Sequence, residues 1–171
     1  MSEWNASSAK LDVWRFAREG GFLEGRVPLA ALTRLADLLA GEAGTVAFRL
    51  EGARGERGQA RLRLVVSGTL PLVCQRCLAP LPEILAIDSL LELVAAEAAE
   101  GEPSQEELED DSLDFLPVPS DGRMALIDLI EDEILLALPV VPRHADCSPP
   151  VSAAAQTPPH PFAALSLLKR R

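Results

Sequence analysis

Aromatic residues, histidine and cysteine are all scarce in this sequence of 171 residues. It has no tyrosine, and aromatic side chains make up 4% of it, against 48% for apolar residues as a whole. The core must therefore consist mainly of leucine, valine, isoleucine and alanine. The cysteines number three, and an odd count argues against a framework of disulfides.

Long apolar segments are missing as well. No apolar run approaches the roughly 20 residues that a membrane-spanning helix needs. The first residues, Met1 to Asn5, include an acid and have no basic region ahead of an apolar run, so no secretory signal is expected. We therefore expect a cytoplasmic protein with no membrane partner.

Signatures of catalysis are absent too. The sequence has no glycine-rich loop for phosphates and no serine elbow. Its two histidines, His144 and His160, do not belong to a recognisable triad. We expect a protein that is not an enzyme, acts by binding, and has no small-molecule substrate.

The net charge of −10 comes from one segment. Nine of the 26 acidic residues lie in a stretch without lysine or arginine, and the remaining 17 acids face 16 basic residues. The nine are Glu97, Glu100, Glu102, Glu106, Glu107, Glu109, Asp110, Asp111 and Asp114. Dense like charge, together with Pro103, Pro117 and Pro119, predicts a mobile acidic insert over residues 96–122.

Hydrophobic periodicity predicts both helices and strands. A short helix or extended arm over residues 10–19 precedes a strand over 22–27, and Pro28 opens an amphipathic helix that ends at Gly41. Its apolar stripe is Leu29, Leu32, Leu35, Leu38 and Leu39. Alternation predicts strands over 46–51 and 60–66, joined by a glycine-rich hairpin. A turn at Ser67-Gly68 then leads to strands over 69–74 and 84–94.

A second helix is expected from about Arg123, with a buried face formed by Ile127, Ile130, Ile134 and Leu138. The fold class is therefore α+β: an antiparallel β-sheet meander with packed helices, an acidic flexible insert and a proline-rich tail ending in a short helix. Residues 1–148 form a single domain in this interpretation, and residues 149–171 form the tail.

The turn between the last two predicted strands contains Cys74-Gln75-Arg76-Cys77. Two residues between thiolates let both sulfurs bind one tetrahedral ion, and His144 and Cys147 offer two further ligands, 66 residues along the chain. These four residues are a candidate zinc site. The alternative is a set of thiols without metal. A thioredoxin-like redox motif is disfavoured, because Pro80 and Pro82 indicate a turn rather than a helix after the cysteines.

Three sets of residues are candidate binding surfaces. The first is a basic patch on two adjacent strands, formed by the alternating residues Arg49, Arg61 and Arg63. The hairpin extends this patch with Arg54 and Arg57. Such a basic patch could bind RNA phosphates or an acidic partner. The alternative is ordinary solvated strand charge, partly paired with Glu51 and Glu56.

One face of the second predicted helix carries three carboxylates, those of Asp128, Glu131 and Asp132. We expect this face to be a solvated acidic surface, a contact for a basic partner, or a Mg²⁺ site. Phe162, Leu165 and Leu168 give the basic terminal segment an apolar side. That side would dock on this chain or in a groove of a partner.

The chain resembles the YceD family of large ribosomal RNA subunit accumulation proteins. The residues that carry the resemblance are 72–77, 128–144, 161–163 and 167–170, in this order and with an acidic insert between the first two segments. Some relatives have a further Cys-x-x-Cys pair after the helix, whereas this chain has only Cys147, in a His-x-x-Cys setting.

The resemblance implies a cytoplasmic factor that supports the synthesis, processing or stability of 23S rRNA, with no defined catalytic residues. Expected partners are a ribosome-biogenesis protein or a ribosomal protein, and the 23S rRNA or its precursor. Two alternatives remain open. One is a zinc-stabilised protein-interaction module without direct RNA contact, and the other is an RNA-processing enzyme that uses Mg²⁺ at Asp128, Glu131 and Asp132.

Overall fold

The protein is described here by a computed structural model that covers residues 10–99 and 114–150. The strands are β1 (Lys10–Asp12), β2 (Phe22–Pro28), β3 (Thr45–Arg54), β4 (Ala60–Val73), β5 (Pro80–Ala95), β6 (Asp114–Val118) and β7 (Arg123–Ala125). The α-helices are α1 (Val13–Arg18), α2 (Ala96–Ala99) and α3 (Leu126–Ala137). Two 3₁₀ helices, Leu29–Ala31 and Thr33–Leu38, lie between β2 and β3.

The main sheet has the strand order β2-β3-β4-β5-β6, and β1 pairs with β7 in a separate two-stranded sheet. Strands β2 to β5 are successive antiparallel neighbours, which confirms the α+β class and the predicted meander. Strand β6 runs parallel to β5 and was not predicted. It contains Pro117, which an edge strand tolerates because one side of such a strand needs no hydrogen bonds.

The predicted turn at Ser67-Gly68 is wrong, because β4 continues through both residues. The alternation of buried and outward side chains is kept from Leu62 to Leu72. A Cβ atom on Gly68 would lie 3.0 Å from Cγ1 of Val46, so the glycine marks a close approach between two strands and not a reversal of the chain.

The amphipathic helix predicted from Pro28 to Gly41 is also wrong, since this segment forms the two 3₁₀ helices. Leu29, Leu32 and Leu35 are all buried, and their spacing of three residues matches the three-residue turn of a 3₁₀ helix. Leu38 is exposed instead of belonging to the buried stripe.

Helix α3 packs on the inner face of the sheet, with Ile130 and Ile134 fully buried. It begins at Leu126 rather than Arg123, because residues 123–125 pair with β1 as β7. The helix ends at Ala137, ahead of Pro139. Among the described residues, no helix is both long and apolar enough to cross a membrane.

Two predicted features fall largely outside the described residues. The insert over 96–122 has α2 at one end and β6 near the other, and its residues 100–113 are not described. The terminal segment, with Phe162, Leu165 and Leu168, lies beyond residue 150 and is likewise not described.

Candidate metal centre

A tight turn after β4 presents the first pair of cysteines. The backbone N–H of Cys74 donates to the carbonyl of Ala79 at 3.0 Å, and the N–H of Leu78 donates to the carbonyl of Cys74 at 2.9 Å. Leu78 has a positive φ of 61°, which the turn requires and which glycine adopts more easily than leucine. Cys74 is consequently buried and Cys77 is half-buried at the tip of the turn.

The second half of the site comes from the chain after α3. The backbone N–H of Gln75 donates to the carbonyl of Pro142 at 2.9 Å and joins this segment to the turn. Beyond this junction, the side chains of His144 and Cys147 lie over the two cysteines, and both are half-buried. The two halves of the motif are thus brought together by tertiary structure.

The donor atoms of Cys74, Cys77, His144 and Cys147 all lie within 4.8 Å of one another. The Sγ atoms of Cys74 and Cys147 are 3.8 Å apart, and Sγ of Cys77 is 3.3 Å from Nδ1 of His144. Bonds of about 2.3 Å to a tetrahedral ion place two sulfurs about 3.8 Å apart. All three cysteines are free, so the separation is not that of a disulfide. The predicted residues therefore form a Cys₃His group that can hold a metal ion.

The ring of His144 is oriented for binding through Nδ1. Its Nε2 lies 3.2 Å from the carbonyl oxygen of Pro80. Because a carbonyl can only accept a hydrogen bond, Nε2 carries the proton and the lone pair of Nδ1 faces the cysteines. A histidine that donates its second ring nitrogen to a carbonyl is the usual arrangement at metal sites, where it holds the ring in place.

The surroundings affect the two thiols of the turn differently. Burial works to raise the pKa of Cys74, but backbone N–H groups of Cys77, His144 and Arg76 lower it to about 5. At Cys77 the N–H of Ala79 favours the thiolate, yet burial and the sulfurs of Cys74 and Cys147 outweigh it and raise the pKa. These backbone N–H groups, from the turn and from His144, favour the thiolate of Cys74, which is the form that binds metals.

Arg76 is a functional candidate that the sequence did not single out. Its guanidinium donates from Nε to Sγ of Cys147 at 3.1 Å, and from Nη2 to the carbonyls of His144 at 2.7 Å and Ala145 at 3.2 Å. Arg76 lies in the turn that carries Cys74 and Cys77, and its side chain binds the segment that carries His144 and Cys147. Its position between the two cysteines was the available signal, but its reach to residues 144–147 depends on the fold.

The predicted arginine patch lies on the outer face of the sheet. The pairing of β3 with β4 puts Arg49, Arg61 and Arg63 on one face, as predicted. Each of these three arginines lies near the carboxylate of an acidic side chain. Arg63 binds Asp88 through two nitrogens, at 2.7 and 2.6 Å, Arg61 binds Glu92 at 2.9 Å, and Arg49 lies 3.8 Å from Glu51.

The hairpin arginines also have contacts within the chain. The guanidinium of Arg54 donates to the carbonyl of Arg18 at 3.1 Å, and the backbone N–H of Arg57 donates to Oε1 of Gln59. On the outer face of strands β2 to β5, as far as the structure describes it, four arginines lie among four acidic residues. They are Arg26, Arg49, Arg61 and Arg63, with Glu24, Glu51, Asp88 and Glu92. The face has mixed charge and is not a basic stripe.

The three carboxylates on α3 have separate environments. Glu131 is 3% exposed and accepts the backbone N–H of Arg34 at 2.9 Å, and Asp132 binds the Arg34 guanidinium. Asp128 is exposed. They do not form one free acidic face, because Glu131 and Asp132 hold the second 3₁₀ helix against α3.

A groove of about 430 Å³ lies between α3 and β6. Its apolar lining consists of Leu91, Phe115, Leu116, Leu129, Leu135 and Leu136, and its charged lining of Arg34, Asp114, Asp132 and Glu133. Leu136 is 81% exposed at its rim. An exposed leucine beside an apolar groove indicates a surface that another segment can cover.

One comparison with known proteins identifies the family. The family model described as "Large ribosomal RNA subunit accumulation protein YceD" matches residues 62–169. No curated protein and no solved structure matches the chain. The matched region includes most of β4, all of β5 and α3, and all four residues of the Cys₃His group. On this evidence the chain belongs to the YceD family of large ribosomal RNA subunit accumulation proteins.

Proposed function

We propose that the protein is a non-catalytic cytoplasmic accessory factor that supports the synthesis, processing or stability of 23S rRNA during biogenesis of the large ribosomal subunit. The observation that carries this proposal is the family match over residues 62–169, which extends across the candidate metal centre and most of the terminal segment. The protein acts by binding a partner of the biogenesis pathway, and the metal centre shapes the region that binds.

Zinc is the metal that the Cys₃His group suits best. Three thiolates and one imidazole are typical ligands of structural zinc sites, where four protein donors complete the tetrahedron. With all four positions taken by the chain, no position is left for a water or a substrate, which favours a structural role over catalysis. Bound zinc would fasten the chain that follows α3 to the turn between β4 and β5.

The charge pattern of the sheet favours a protein as the direct partner. Affinity for nucleic acid depends on cations that are free to replace counterions on phosphates. Arg61 and Arg63 already bind Glu92 and Asp88, so an RNA phosphate would have to displace these carboxylates. This observation supports the alternative in which a zinc-stabilised module binds a protein and has no direct contact with RNA.

The groove between α3 and β6 is the surface to which we assign the terminal segment Pro161–Arg171. Its apolar lining suits Phe162, Leu165 and Leu168, and Asp114 suits the basic end of the segment at residues 169–171. The ten residues between Pro150 and Pro161 span up to about 33 Å when extended, which exceeds the length of about 18 Å expected for the 12 residues of α3. The acidic residues 100–113 would be repelled by the same carboxylate.

Depletion of the protein from the cells that make it tests the proposed function. The ratio of 23S to 16S rRNA should fall on depletion and recover when the full-length protein is supplied again. An unchanged ratio would contradict the proposal. Capture of the tagged protein from these cells, with and without RNase treatment, separates the two routes: partners that remain after RNase indicate protein contact, and partners that disappear indicate contact through RNA.

A further inference from the structure

The side chain of Arg76 crosses from one half of the metal centre to the other. We propose that Arg76 is a built-in cationic partner of this centre, which holds the His144–Cys147 loop in position for metal binding and neutralises the charge of the thiolates. The proposal rests on the assignment of a metal to the Cys₃His group. In this role Arg76 is a positioning residue, which acts on the metal through His144 and Cys147.

The geometry of the contacts supports this role. The guanidinium spans two consecutive carbonyls and one sulfur, with donor distances of 2.7 Å to His144, 3.2 Å to Ala145 and 3.1 Å to Sγ of Cys147. A guanidinium is a rigid planar fork of five N–H donors, so one side chain can make all three contacts at once. A lysine carries the same charge on a single nitrogen and cannot reproduce this arrangement.

Besides Arg76, two hydrogen bonds join the loop to the rest of the site, one from the N–H of Gln75 to the carbonyl of Pro142 and one from Nε2 of His144 to the carbonyl of Pro80. Residues 138–150 contain no regular helix or strand, and their own backbone does not determine where His144 and Cys147 lie. Arg76 binds the carbonyls of two adjacent residues and the sulfur two residues further on, which orients both ligands. A loop that is held in the binding geometry before the ion arrives loses less entropy on binding, and the affinity rises accordingly.

The charge of the metal centre is a second argument for this role of Arg76. Three thiolates and a neutral imidazole around a divalent ion leave a net charge of −1, and the guanidinium brings the group to neutrality. Cys74 is buried, and the other three ligands and Arg76 are half-buried, so an uncompensated charge would be costly here. The bond from Nε to Sγ also places the positive charge against one of the sulfurs that carry the negative charge.

Zinc competition experiments on the full-length protein test the proposal. Partners in the outer sphere of a metal site typically account for about 10- to 100-fold in affinity, and we expect a loss of this size in Arg76→Gln. Arg76→Lys should recover part of the affinity, because it restores charge but not the fork. Arg143→Gln is the matched control: it removes the same charge one residue from His144 and should bind zinc like the wild type.

Hydrogen exchange of the metal-free protein gives an independent readout. Amides of residues 143–147 should exchange faster in Arg76→Gln than in the wild type, with exchange in β3 to β5 unchanged. Wild-type zinc affinity and wild-type exchange in Arg76→Gln would together overturn the proposal. If the wild-type protein binds no zinc, the metal assignment fails on its own, and the exchange comparison still decides whether Arg76 holds the loop.

Discussion

The sulfur atoms of Cys74 and Cys147 lie 3.8 Å apart although 73 positions separate the two residues in the sequence. One sulfur belongs to the turn after β4 and the other to the chain after α3. A contact of this kind joins two parts of the fold that share no strand pairing. An ion bound at this junction would link the turn after β4 to the chain after α3.

Purified protein should contain about one zinc ion per chain, and Cys74→Ser should lose it, because three donors hold zinc far less tightly than four. Metal analysis by mass spectrometry measures this directly. Asp146→Asn is the control, since Asp146 lies in the same loop but is not part of the Cys₃His group. A wild-type protein without stoichiometric zinc, or a Cys74→Ser protein that retains it, would contradict the assignment.

Arg61→Ala should lower the free energy of unfolding by about 1–2 kcal/mol, because it leaves Glu92 unpaired in a shielded position. In this ion pair the side chains of Arg61 and Glu92 are only 23% and 14% exposed. Arg63→Ala is the comparison and should change stability little, although Arg63 binds Asp88 through two nitrogens, since that pair is exposed. Denaturant titrations of both variants measure the difference, and equal losses would show that shielding is not the deciding factor.

Asp88 should titrate at lower pH in the folded protein than in the unfolded chain. Arg63 lowers the pKa of Asp88 through its hydrogen bonds and its charge, against a smaller opposing effect of burial. The stabilising contribution of this carboxylate is therefore complete above its unfolded pKa of about 3.9 and is lost as the pH falls through the lower folded value. Carbon-13 NMR of the Asp88 carboxyl group should show an upward shift of the midpoint in Arg63→Gln, and an unchanged midpoint would refute the assigned cause.

Leu78→Gly should stabilise the metal-free protein by about 1 kcal/mol, because glycine adopts the positive φ of this position without the penalty that a Cβ atom brings. Leu78 is 63% exposed, so little burial is lost with its side chain. Leu78→Ala keeps the Cβ atom and should bring no gain. A denaturant titration in the presence of a chelator compares the three proteins, and similar values for alanine and glycine would exclude backbone strain as the reason.

The assignment of residues 161–171 to the groove predicts slow hydrogen exchange in this segment of the full-length protein. Leu136→Glu places a charge at the rim of the groove and should abolish the slow exchange of the amides of residues 162–168. Ile84→Glu is the control, since Ile84 is 78% exposed on the outer face of the sheet, away from α3. Fast exchange of the segment in the wild-type protein would rule out the groove as its binding site.

Short-range patterns were sufficient for most of the antiparallel strand positions and for the members of the Cys₃His group, although they wrongly divided β4 at Ser67-Gly68. Alternation along β3 and β4 reflects burial of one face of a sheet, and the Cys-x-x-Cys and His-x-x-Cys spacings are those with which two ligands can reach one ion. The contact between the two halves of the site depends on how the chain after α3 returns to the turn, which no spacing encodes. The role of Arg76 was missed for the same reason.

The errors in the predicted fold have local physical causes. Leu29, Leu32 and Leu35 satisfy a period of three as well as 3.6, so their spacing cannot separate a 3₁₀ helix from an α-helix. Strand β6 lies in a segment whose charge and prolines favour a loop, and it forms only because the exposed edge of β5 offers backbone partners. Both outcomes depend on tertiary contacts rather than on residue type.

The parallel pairing of β6 with β5 limits how far the acidic segment can be shortened. Asp114 lies opposite Leu91 and Val118 opposite Ala95, so after β5 the chain must travel back along the length of β6 before it can pair. The return covers four residues of strand, or about 13 Å, and a connection between parallel strands takes about a dozen residues because it must cross over to the other end of the sheet. The sequence provides 18 residues there, from 96 to 113. We therefore expect that about a third of this connection can be removed without disturbing the sheet, whereas complete removal would prevent the pairing of β6 with β5.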